Sequence, residues 1–107
     1  MGTTTLSELR AILGDWILGE LVGVPAEMLA AFDRTRHHPA TVARIDLVGQ
    51  VVWCLLGTYD DEGIRRWFGR CRPQLQGKSP AEHLGDDWLA DSLAAKRVLD
   101  LAKGLAS

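Results

Sequence analysis

Apolar residues along the chain recur three, four and seven positions apart. No stretch alternates regularly between apolar and polar residues, so the pattern predicts helices and no strands. The first predicted helix begins near Thr5 or Ser7, with Glu8 in its first turn. It carries a stripe of Leu6, Leu9, Ile12 and Leu13 and stops at Gly14. Asp15 is placed to cap a second helix bearing Trp16, Ile17, Leu18 and Leu21, which Gly23 ends. Pro25 suits the first position of a third helix running to about Arg34 or Thr35, with Glu27 complementing the dipole at its start. Pro39 then opens the longest element, roughly Ala40 to Gly57. Its wide face of Val42, Ile45, Val48, Val52 and Leu55 marks a central core helix.

Asp60 or Asp61 caps the next helix, in which Ile64, Trp67, Phe68 and Cys71 share a side. Residues 72–78, rich in Pro, Gln and Gly, read as a loop. Ser79-Pro80-Ala81-Glu82 has the form of a capping box: a serine cap, a proline at the first helical position, and a glutamate three residues after the cap. That short helix ends at Gly85. A last helix is expected from about Asp87 to Gly104, with Ala94, Val98, Leu101 and Leu105 on one side. The expected fold is all-α: one compact multi-helix unit over residues 1–107. Helix-turn-helix-like helices and the long core helix occupy residues 5–58, and a second helical region occupies residues 59–107.

Composition adds limits rather than identity. With 107 residues, 47% hydrophobic and 24% charged, the chain can bury a core without staples. A net charge of -2 means that any DNA contact must come from a local patch. Charged residues interrupt every apolar stretch, and the start Met1-Gly2-Thr3-Thr4-Thr5 lacks a basic signal-peptide region, so the cytoplasm is the expected location. Cys54 and Cys71 fall on apolar faces of predicted helices and are expected to be buried thiols.

Residues 16–32 have helix-turn-helix spacing, with a small residue, Gly19, where two helices press together and Gly23 in the turn. An ordinary helical hairpin has the same spacing. The helix that would enter a major groove offers mainly Ala26, Glu27, Ala30 and Ala31, which are poor at reading bases. The candidate DNA-contacting residues are therefore Arg34, Arg36, His37, His38 and Arg44. Nothing arranges a nucleophile, base and orienting group together, and the carboxylates cluster at helix starts where capping explains them. The expectation is a non-enzyme.

Arg65, Arg66, Arg70, Arg72 and Lys78 form a basic cluster with no acid among residues 64–78. Such a cluster is either a solvated face or a docking surface. The run Arg66-Trp67-Phe68, followed by Pro73-Gln74-Leu75-Gln76-Gly77-Lys78-Ser79-Pro80-Ala81-Glu82-His83-Leu84, resembles the toxin-binding domain of the Xre/MbcA/ParS antitoxins. Those carry an Arg-x-Trp-Leu stretch and then a Pro-x-Leu-x-Gly-Arg-Ser-Pro-x-Glu-x-Leu stretch. Here Phe68 stands for the usual Leu, Lys78 for Arg, and Cys71-Arg72 for a frequent Pro-Asn. The resemblance implies an antitoxin that occludes a RES-domain, NAD-consuming toxin, often as a dimer, and co-represses its operon. Together with the basic cluster it points to toxin contacts at Arg70, Arg72, Gln74, Lys78, Ser79, Glu82 and His83, and it implies that the cofactor belongs to the toxin, with none in this chain. The alternatives are a helix-turn-helix transcriptional regulator without a toxin, binding operator DNA, and an orphan structural protein.

Overall fold

The chain's first helix is launched by a reciprocal cap. Thr5 Oγ1 accepts from the Glu8 backbone N–H, and the Glu8 carboxylate accepts from the Thr5 N–H, so two otherwise unpaired donors are satisfied. In this computed structural model, which describes residues 3–33, 35–85 and 88–106, helix α1 spans Leu6–Leu13 and α2 spans Asp15–Val22. Asp15 does not cap α2: it is the first helical residue, and its carboxylate takes both ends of the Arg10 fork at 2.8 and 3.1 Å. The backbone of Gly14 makes the corner instead.

Gly23 ends α2 in the left-handed conformation (φ 79°, ψ 27°), and the chain turns into α3, Ala26–Leu29. The turn folds so tightly onto α2 that a Cβ on Gly19 would stand 2.5 Å from the Val24 carbonyl oxygen. Helix α3 is a single turn, not the element to Arg34 or Thr35 that the spacing predicts. After Leu29 the bonds tighten, with Ala31 N–H to Met28 O and Phe32 N–H to Leu29 O. The Asp33 carboxylate then accepts from the Thr35 backbone N–H at 2.9 Å and its hydroxyl at 2.7 Å, drawing the backbone into a local turn in place of helix.

Helix α4, Pro39–Leu55, starts on His38, whose Nδ1 accepts from the Ala40 N–H. It buries Ile45, Leu47, Val48, Val51, Val52 and Leu55, a band wider than one stripe, and packs chiefly against the last helix. Helix α5, Asp61–Gly69, is capped by Asp60 and seats Ile64, Trp67 and Phe68 in the same core. A 3-10 turn at Pro73–Leu75 leads to α6, Pro80–Leu84, with the predicted Ser79–Glu82 capping box in place. The final helix, α7, runs Leu93–Ala106 and so begins six residues later than expected. Trp88 explains the delay. Its indole N–H donates to Leu21 O at 2.7 Å, and its carbonyl accepts from Arg44 Nε at 2.6 Å, so this residue is committed to the core before a helix can start. Ser92 then accepts from the Ala95 N–H. The buried side of α7 is Ala95, Val98 and Ala102: Val98 is buried as predicted and Leu101 packs half-buried against the core, while Ala95 and Ala102 are buried in place of Ala94; the Leu105 side chain lies outside the described residues.

The result is an all-α, compact multi-helix domain whose hydrophobic core cluster draws on both halves of the chain. Among the described residues no helix is long and apolar enough to cross a membrane. Cys54 is partly buried against the core as a free thiol. Cys71 is not on a helix face: α5 ends at Gly69, Arg70 is extended, and Cys71 is exposed.

Trp67 is 2% exposed, so Trp67→Ala should cost about 3 kcal/mol or more in urea denaturation. Gly19→Ala should cost about 1–3 kcal/mol, because backbone must move to admit the methyl group. An unchanged midpoint in either variant contradicts this packing.

Candidate functional site

The segment between α5 and α6 is short, charged at its surface and closely tied. Arg72 and Lys78 face each other in an isolated antiparallel bridge, with Arg72 N–H donating to Lys78 O at 3.1 Å. Between them Leu75 N–H and Gly77 N–H both donate to Arg72 O, closing a loop around the 3-10 turn. Leu75, 1% exposed, plugs the loop into the protein. Gln76 takes the left-handed region (φ 59°), a conformation that costs a residue with a side chain about 1 kcal/mol or more and is held here by the ring of bonds.

Two side chains lock this loop to the helices on either side. The Arg72 guanidinium carbon lies 5.1 Å from the Trp67 ring centroid, a cation–π contact, and Phe68 meets the same ring edge-on. Among the described residues, Trp67 Nε1 and Arg72 Nε are buried without hydrogen-bond partners, so this contact works by stacking and packing rather than through the indole N–H. On the far side, Ser79 Oγ accepts from Glu82 N–H at 3.2 Å while Glu82 Oε1 accepts from Ser79 N–H at 3.1 Å. The bonds from the Ser79 backbone and hydroxyl hold the Glu82 carboxyl below the usual glutamate range. A long contact from the Cys71 thiol and the Lys78 charge add to the effect.

The basic cluster divides by role. Arg65 Nη1 donates to Ile12 O at 2.6 Å and so closes the end of α1, and Arg66 pairs with Glu62 one turn back. Arg70, Gln74 and Lys78 are left exposed on one continuous segment, with His83 half-buried on α6. Ser79, by contrast, is 3% exposed and Arg72 is half-buried in its stack, so both of these residues hold the surface in shape.

The candidate DNA residues are spread over several tasks. Arg44 reaches from α4 to the Trp88 carbonyl and, at 3.4 Å, to the Val22 carbonyl, bracing three elements. His37 Nδ1 lies 2.8 Å from the Asp33 carbonyl oxygen with its ring stacked on Phe32, and His38 caps α4. Arg36 is exposed, 3.6 Å from Asp33. Arg34 lies outside the described residues. Sequence reasoning missed the outward placement of Trp16, which belongs to an apolar-rich helix yet faces away from the side defined by Leu18, Leu21 and Val22.

No protein-family model, curated protein or solved structure matches this chain.

The depressed Glu82 pKa fixes a sign. The stability contributed by the α6 cap is present above the unfolded-state glutamate value, about 4.3, and is lost as pH falls through the lower folded-state value. An NMR titration should place Glu82 below the ordinary range, and Ser79→Ala should raise it. An unshifted Glu82 in the wild type contradicts the reciprocal cap.

Proposed function

We propose that this chain is an antitoxin-type protein that acts by binding a partner protein, a toxin of the RES-domain type, through the Arg70–His83 surface. The observation that carries this reading is the coincidence of motif and geometry. The residues that resemble the antitoxin motif, Pro73 to Leu84, form a braced loop and capped helix. The Arg70 side chain just before this loop and the Gln74 side chain on it take part in no hydrogen bond or ion pair among the described residues, and Lys78 is exposed with only its charge acting on Glu82. A pre-shaped, arginine-bearing surface binds with less loss of conformational freedom than a mobile loop. Catalysis, in this reading, belongs to the toxin, which the antitoxin would inhibit by occluding its NAD site.

DNA binding is the secondary role. The α2–α3 corner supports it, since Gly19 and Gly23 give the close turn a helix-turn-helix needs. A one-turn α3 exposing Glu27 and Met28, followed by exposed Ala30 and Ala31, offers few donors to base edges, and Arg44 is held by backbone carbonyls. Affinity for operator DNA would then come from phosphate contacts and from multivalency in a toxin complex.

The test is co-expression with the RES-domain protein proposed as its toxin, followed by co-purification and titration calorimetry. Arg70→Glu with Lys78→Glu should weaken the complex by about tenfold or more while leaving helicity unchanged. Equal binding by the double variant contradicts the assignment of this surface. On operator DNA at near-physiological salt, the free protein should bind weakly and the complex more tightly. Nanomolar, sequence-selective binding by the free protein would favour a transcriptional regulator instead.

A further inference from the structure

Among the exposed large hydrophobic residues, Trp16 on α2 is the most exposed, at 73%. One helical turn further on stands Glu20, also exposed, which among the described residues takes part in no ion pair or hydrogen bond. The two residues share a cleft of about 420 Å³ that extends to Pro25 and Glu27 at the α2–α3 corner. They share a second, of about 210 Å³, that extends to Phe68 and Ala81. Two more clefts lead from Glu20 past Gly85 and Trp88, so Glu20 lines all four.

The charges bordering this groove are one-sided. The arginines that reach it are turned to backbone carbonyls, Arg65 to Ile12 and Arg44 to Trp88 and Val22. The carboxylates are Glu20, Glu27 and Glu82, and Glu82 is held in its capping box. On the side toward Ile17, Leu21, Phe68 and Ala81 the groove thus offers apolar walls beside a carboxylate that, among the described residues, is paired with no cation.

We infer that this groove is a docking site for an arginine of a partner protein, carried between apolar side chains, with the guanidinium paired to Glu20 and lying against Trp16. Arginine fits better than lysine because its planar fork pairs with a carboxylate through two bonds while its face stacks on an aromatic ring. An acidic or phosphorylated segment is excluded by the carboxylates. The site lies on α2, apart from the Arg70–Lys78 surface, and does not depend on the partner being a toxin.

The experiment is to pan a random peptide library on the full chain and measure the selected synthetic peptides by fluorescence anisotropy. Selected sequences should be enriched in an arginine flanked by apolar residues. Glu20→Arg should weaken their binding by about tenfold or more, since a charge-assisted pair is lost and a like charge introduced. Glu20→Gln and Trp16→Ala should each weaken it less, and Arg70→Glu should leave it unchanged. Both side chains are exposed, so melting curves should match wild type; should Glu20→Arg fail to fold, Glu20→Gln decides. A pool without arginine enrichment, or peptides that bind every Glu20 variant as wild type, overturns the inference. So does a dimer in sedimentation that Glu20→Arg dissociates, which would assign the groove to a second copy.

Discussion

Helix α4 is apolar around most of its circumference, and a helix of that kind has to be enclosed. The other helices are short, from four to fourteen residues, and none can cover it alone. Helix α7 covers one side, while α1 and α2 meet it on others, with α5 packed behind α1. Because the enclosure is made of short pieces, their ends are numerous, and each end exposes backbone groups that need partners. Thr5, His38, Asp60 and Ser79 supply them at N-termini. At C-terminal ends the arginines do so: Arg65 reaches the end of α1 and Arg44 the end of α2.

That requirement gives some basic side chains a task inside the fold and leaves others facing outward. Those directed inward, Arg44 and Arg65, are fasteners, and so in part is Arg72 on the Trp67 ring. Arg70 and Lys78 remain outward, on a loop whose backbone is held by its own hydrogen bonds and by the buried Leu75. A chain this small gains little stability from an exposed basic surface. The contrast between a fixed loop and the outward-facing charges beside it supports the proposed partner-binding role.

Elements with strong local signals were legible in the sequence. The Ser79–Glu82 box, the Gly23 stop and the Pro39 start each depend on residues within one turn, and each lies where its pattern places it. What was not legible depended on distant partners. Nothing local to Asp87 says that Trp88 will reach Leu21, 67 residues away, and hold off the start of α7. Nothing near Arg44 says that its guanidinium will be taken by the Trp88 carbonyl rather than left for DNA. The early end of α3 was locally encoded, in the Asp33–Thr35 turn, but helical periodicity outweighed it in the pattern. At the candidate surface, the loop and the Ser79–Glu82 capping box were legible in the sequence. The division into exposed Arg70, Gln74 and Lys78 and enclosed Ser79 required the fold.

Residues 70–85, the proposed contact surface, are held in shape before any partner arrives. Hydrogen–deuterium exchange of the free chain, with and without the RES-domain toxin proposed as its partner, tests this most directly. The account predicts that amides around Arg72, Gly77 and Lys78 are already slow in the free protein, because they are hydrogen-bonded, and that added protection on binding concentrates in residues 70–85. Rapid exchange there in the free chain, or binding protection confined to residues 26–44, would contradict it.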